Sequence, residues 1–170
     1  MVVEARVGSK TRNSPVIPAQ LDLGYAALFL GLRFNELVRR RLEAAGFGDV
    51  RESHGYVIQH LIEEERSITE LARRMEVTQQ AASKAVAELL RLGVVEAIRT
   101  TDRRSKRIRL SARGWLSVKL ARQVRRRIES RLVQAVGAAK YDVTKGVILQ
   151  CLDELGGTER IKTRRIRPPT

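Results

Sequence analysis

Residues 69–114 read TELARRMEVTQQAASKAVAELLRLGVVEAIRTTDRRSKRIRLSARG, and the order of structural signals within them decides the fold. Thr69 is a side-chain oxygen placed just before Leu71 and Met75, where it can cap a short amphipathic helix. Met75-Glu76-Val77 leaves room only for a sharp turn. Thr78 then offers a second cap, for a helix whose Ala82, Val86, Leu89 and Leu90 fall on one face and which Gly93 ends. The opposite face opens with Thr78, Gln79, Gln80, Ser83 and Lys84, donors and acceptors of the kind that meet base edges and phosphates. The same polar residues also suit a plainly solvated helix face.

After Gly93, VVEAIR has β-branched residues and a period near two, and KRIRL repeats that alternation, so they read as a hairpin around TTDRRS. Helix, turn, helix and hairpin together make a winged helix-turn-helix. The tip and return strand carry Arg99, Arg103, Arg104, Lys106, Arg107 and Arg109 against one acid, Asp102. Arginines in that position can enter a minor groove or grip phosphates beside a helix in the major groove. Asp102, set among cations, is expected to hold Arg104 in place by a charge-assisted hydrogen bond, leaving Arg103 to reach the DNA. The alternative is that it only favours the turn.

This stretch resembles the DNA-binding core of the MarR family of bacterial and archaeal regulators. The wing signature of that family is Asp, any residue, Arg, five residues, Leu-Thr, and Gly three further on. Here the signature is met by Asp102, Arg104, Leu110, Ser111 and Gly114, with Ser111 replacing Thr and keeping the hydroxyl that can cap the next helix. LARRMEV and AELLRLGVVE match the helix-turn-helix and the entry to the first wing strand. The resemblance implies a homodimer in which the first and last helices of two subunits intertwine. Two recognition helices would then address a pseudo-palindrome with half-sites about one helical turn apart.

The flanking sequence agrees with that architecture. Residues 21–48 are apolar nearly all round in their first half, with Leu23, Tyr25, Leu28, Phe29, Leu30, Leu32, Phe34 and Leu37, so that half needs cover on more than one side. Gly46 and Gly48 close this helix, and Asp49 with Glu52 offers a capping pair for a shorter one through Leu61. Ser67-Ile68 is expected to add a short strand to the wing. Beyond it, Ser111 opens a long helix to about Ala138, with Leu116, Leu120, Val124, Ile128, Leu132 and Val136 every fourth residue and Trp115 as a packing anchor. Asp142 is expected to cap a last helix that contains Cys151 as a core residue and ends at Gly156-Gly157. The resulting fold class is mostly α with a small β-wing: a winged helix-turn-helix over 49–111, dimerisation helices over 21–48 and 112–156, a flexible arm over 1–20, and a basic flexible tail over 157–170.

Charge and composition narrow the partner. Of the net +14, the two ends supply +2 (residues 1–20) and +4 (residues 157–170), so the body itself carries +8. That asks for a polyanion, and no apolar run approaches bilayer-spanning length, so double-stranded DNA is expected and a membrane is not. The lone Cys151 allows no internal disulfide, and with no signal peptide visible the chain reads as cytoplasmic, nucleoid-associated when bound to DNA. His54 and His60, six apart and distant from the cysteine, do not make a metal site. No catalytic set, phosphate loop or cofactor motif stands out, so neither an enzyme nor a cofactor is expected. The family's thiol sensors carry their cysteine in the first helix, and this first helix has none. Many members release DNA when a small aromatic or anionic effector enters a cleft between the first, second and long helices, which here points to Phe29, Arg33 and His60 as lining residues. The competing function is a DNA-architectural protein that binds through its basic ends without sequence choice or effector.

Overall fold

The computed structural model describes residues 17–99 and 106–163. Its internal contacts divide the chain at Arg33–Phe34 into two units.

The first unit holds a 3-10 turn, Pro18–Gln20, and the start of helix α1, Leu23–Leu42. The Asp22 carboxylate accepts the Tyr25 backbone N–H at 2.9 Å, and so satisfies one of the donors that a helix start leaves unpaired. The rings of Tyr25 and Phe29, one turn apart, lie stacked with centroids 6.4 Å apart. Leu23, Leu28, Leu30 and Leu32 are each about half exposed, as the continuous apolar sequence requires of a helix without a second packing partner.

The second unit begins with the C-terminal half of α1. This half runs into a π-turn, Glu43–Phe47, where Gly46 takes φ 82°, a left-handed conformation that glycine adopts without a Cβ penalty. Helix α2, Glu52–His60, starts later than Asp49 would place it: Arg51 is the N-cap, and its backbone N–H donates to His54 Nδ1 at 3.1 Å. Strand β1, Arg66–Ser67, leads straight into helix α3, Ile68–Met75. The cap of α3 is Ser67, not Thr69. Ser67 has a glutamate three residues on, and the two form a capping box: Glu70 N–H to Ser67 Oγ at 3.2 Å, and Ser67 N–H to Glu70 Oε2 at 2.7 Å.

The sharp turn falls at Glu76, which closes α3 in the left-handed region (φ 56°). Thr78 caps helix α4, Gln79–Arg91, by accepting the Ala81 N–H at 3.1 Å. Ala82, Val86 and Leu89 are buried as their spacing predicts, whereas Leu90 is 39% exposed. Strands β2, Val95–Arg99, and β3, Lys106–Leu110, pair antiparallel with Val95 opposite Leu110 and Arg99 opposite Lys106. β1 adds to the other edge of β3, Arg66 opposite Ile108, so the sheet order is β1-β3-β2. Val57, Leu61, Leu71, Val86, Leu89, Val94, Ile108, Leu110 and Val118 form one core beneath α2, α3, α4 and the sheet.

Ser111 caps the long helix α5, Ala112–Val136, through the Gly114 N–H at 3.0 Å, and its own hydroxyl donates to the Gly93 carbonyl at 2.5 Å. Gly114 is required there by space. An added Cβ would overlap the Val94 carbonyl oxygen and lie 3.2 Å from Leu110 Cδ2. Trp115 is 44% exposed and Leu116 is exposed too, so neither anchors this core; Val118 does, and Val124 is buried six residues further along. Gly137 breaks the chain into helix α6, Ala138–Glu154, which starts four residues before Asp142, so Asp142 lies within it and caps nothing. Cys151 is half-buried rather than enclosed. After Gly156, a short helix α7, Thr158–Lys162, occupies part of the segment expected to be a flexible tail. No described helix is long and apolar enough to cross a membrane.

Candidate nucleic-acid interface

The N-terminal turns of α4 present Thr78, Gln79, Gln80, Ser83 and Lys84, all exposed. At about 100° per residue, the last four share an arc of about 140° on the side away from Ala82, Val86 and Leu89. Two glutamine amides, a hydroxyl and an ammonium on one convex face can reach both donors and acceptors on base edges. Burial of the opposite face fixes which way they point.

A second set of contacts, not foreseen from the sequence, fixes the tilt of α4. Glu88, one turn beyond Lys84, binds His54 Nε2 at 2.9 Å and the Arg51 guanidinium. His54 is 2% exposed. Its Nδ1 accepts the Arg51 N–H, which assigns the ring proton to Nε2, the nitrogen facing Glu88. The hydrogen bonds from His54 and Arg51 hold the Glu88 carboxyl below the usual carboxylate range. Thus the start of α2 is tied to the recognition helix by one carboxylate. The partners are more than thirty residues apart, so no local pattern could have revealed them.

The wing strands separate structural arginines from available ones. Arg66 is buried, with Nε donating to the His60 carbonyl at 2.8 Å and Nη1 to Glu64 at 2.7 Å. Arg107 donates to the Glu65 carbonyl at 3.1 Å and faces Glu70 at 3.7 Å. Arg109 pairs across the strands with Glu96 at 2.6 Å. Arg107 and Arg109, grouped by sequence with the DNA-gripping cations, are therefore engaged, Arg109 within the sheet and Arg107 with the Glu65 carbonyl and α3. Lys106 is exposed at the start of β3. Asp102, Arg103 and Arg104 lie outside the described residues.

The residues assigned to an effector cleft fall in different units. Phe29, 55% exposed, and Arg33 belong to the first, while His60 is buried in the second at 4% exposure. Among the described residues no group of three His, Cys, Asp or Glu side chains could hold a metal ion.

Residues 49–107, from just before α2 to the start of β3, match the family model described as MarR family. Over these residues the chain is similar to the MarR family. No curated protein matches its sequence. Among solved structures, the fold recurs in MepR, described as a transcription regulator of the Staphylococcus aureus multidrug efflux pump MepA, with TM-score 0.64 at 17% identity over 79% of this chain and 99% of that one. A MepR variant from S. aureus, bound to an oligodeoxyribonucleotide, aligns with TM-score 0.56 at 17% identity over 80% of this chain and 99% of that one. The YusO protein of Bacillus subtilis aligns with TM-score 0.63 at 17% identity over 77% of this chain and 92% of that one. At such identities these are likenesses of fold.

Proposed function

We propose that this protein is a DNA-binding transcription regulator that acts as a homodimer on a pseudo-palindromic site in double-stranded DNA. The observation that carries the reading is the exposed arc of Gln79, Gln80, Ser83 and Lys84 on a helix capped by Thr78 and held along the flank of that arc by Glu88. In this reading Gln80 and Ser83 choose bases in the major groove, Lys84 and Thr78 hold phosphates, and Lys106 with Arg103 and Arg104 grips the flanking backbone. Dimerisation covers the exposed leucines and aromatics of α1 and the exposed Val143, Val147 and Leu149 of α6. Binding of a small aromatic or anionic effector lowers the affinity for DNA.

The test is selection of bound sites from a random duplex pool, followed by titration of the selected and scrambled duplexes. A regulator protects one site at least a thousandfold more tightly than random DNA, on the general scale of specific binding. Gln80→Ala or Ser83→Ala should then lose about 1–3 kcal/mol on the selected site and less on the scrambled one. Equal affinity for both duplexes would replace the regulator with an architectural DNA-binding protein.

A further inference from the structure

We propose that the outward face of α5 is a second binding surface for the phosphate backbone of double-stranded DNA, distinct from α4, so that the dimer can hold two DNA segments at once. This goes beyond the operator-binding reading and needs neither base choice nor an effector.

The observations start from the charge of one helix. Ala112–Val136 contains seven cations, Arg113, Lys119, Arg122, Arg125, Arg126, Arg127 and Arg131, against the single acid Glu129. That acid is occupied, because its carboxylate accepts the Tyr141 hydroxyl; burial, and after it this carboxylate, raises the phenol above its ordinary range. Two of the cations are also engaged. Arg113 lies 4.6 Å over the Phe47 ring and donates to the Gly46 carbonyl at 2.6 Å, while Arg125 donates to Asn35 at 2.9 Å. The remaining five are exposed and, among the described residues, their side chains form no hydrogen bond or ion pair.

Helical spacing puts Lys119, Arg122 and Arg126 within an arc of about 60°, over a rise of about 10 Å. Like charges three and four residues apart repel, so the row weakens the helix that carries it. Gly114, Ser117, Val118 and Val124 bury the other side, so the row points away from the core of the winged helix, its last member Arg126 lining, with Glu129 and Tyr141, a hollow between α5 and α6. An anion with regularly spaced charge relieves the repulsion. Duplex DNA presents about six phosphates over the same 10 Å of axis, enough for each cation to find one without bending. A lipid surface fits less well, since an interfacial helix sets an apolar stripe beside its cations, and on α5 the large exposed apolar residues, Trp115, Leu116 and Val136, lie at its two ends.

The experiment uses the full chain. One duplex is tethered to beads, the protein is bound, and capture of a second, labelled duplex is measured over a range of salt. Lys119→Gln, Arg122→Gln and Arg126→Gln combined keep good helix formers at each position. The expected result is single-duplex affinity within about twofold of wild type, capture of the second duplex reduced at least tenfold, and a slope of log affinity against log salt for that capture flatter by about 2.7, from three contacts at ~0.9 each. Gln80→Ala with Lys84→Ala should do the reverse, weakening the first binding event and leaving capture of a random second duplex intact. Undiminished capture by the triple variant overturns the inference, and so does parallel loss of both events, which would merge α5 with the primary interface. Sedimentation of wild-type protein that saturates at one duplex per dimer overturns it without any variant. Preference of the wild-type surface for anionic phosphatidylserine vesicles over an equal charge of DNA overturns it in favour of a membrane. A wild-type protein that binds no duplex at all would instead remove the regulator reading.

Discussion

Gly114→Ala should destabilise the winged helix, although alanine is the better helix former. Gly114 lies in the first turn of α5, and a methyl there would overlap the Val94 carbonyl oxygen and sit 3.2 Å from Leu110 Cδ2. That carbonyl accepts the Ser111 N–H at 3.1 Å and belongs to the link between α4 and β2, so backbone has to move. Overpacking of this kind costs about 1–3 kcal/mol, and a strained Ser111–Val94 hydrogen bond adds about 1. The gain in helix propensity offsets about 1 kcal/mol. The net loss is then about 1–3 kcal/mol, and each kcal/mol lowers Tm by about 2–4 °C for a chain of this size. Gly55→Ala is the matched control, because Gly55 is helical and exposed, with open space where its Cβ would be. It should stabilise by about 0.5–1 kcal/mol. Urea unfolding of both variants at one fixed protein concentration decides the matter, since dimer stability depends on concentration. A Gly114→Ala protein as stable as Gly55→Ala would show that the strand–helix junction yields easily and that the close-contact argument fails.

Four further outcomes are expected. Ser67→Ala should cost about 0.5–2 kcal/mol by removing the α3 cap, whereas Thr69→Ala should cost less, as read by chemical denaturation. Glu70 is held below its ordinary value of 4.5 chiefly by hydrogen bonds from the Ser67 backbone and hydroxyl, with Arg107 and Arg66 adding to them. Its contribution is therefore complete above 4.5 and fades as pH falls through the lowered native value; Glu70→Gln should flatten the acid limb of a stability profile, and an unchanged limb would discount the capping box. Replacing Leu30 and Phe34 with Glu should give aggregated or unfolded chain, and a soluble, folded wild-type monomer at micromolar concentration in sedimentation would refute the dimer. Arg103→Ala should flatten the salt slope of DNA binding by about 0.9 if one phosphate contact is lost, while Asp102→Ala should weaken binding despite the added positive charge; tighter binding would remove the positioning role of Asp102.

Local chemistry was legible in the sequence and distant chemistry was not. Thr78 and Ser111 cap the helices they precede because a cap is settled within three residues, and Gly93 ends α4 for the same reason. Thr69 misled because Ser67, two residues earlier, has the glutamate that completes a box. Asp142 misled because Gly137 starts α6 a turn sooner, without any side-chain cap. For Leu90 and Trp115, periodicity named apolar positions but could not say whether this core reaches them. Arg107 and Arg109 read as part of a basic tip, yet their acids come from other segments, Glu70 and Glu96. The Arg51, His54 and Glu88 cluster beside the recognition face needed the fold to bring α2 and α4 together.

The position of β3 in the middle of the sheet also sets an order of assembly. Its pairing with β2 closes a short hairpin, Val95 to Leu110, at low entropic cost. Its pairing with β1 joins Arg66 to Ile108, and that contact forms only once the intervening α3 and α4 have brought their ends together. Docking of β1 is therefore expected to come late in folding, a hypothesis that φ-value measurement at Arg66 tests. On that hypothesis substitutions at Arg66 should speed unfolding and leave the refolding rate nearly unchanged, so that a two-residue strand would set the lifetime of the folded wing without taking part in reaching it; a slowed refolding rate would refute it.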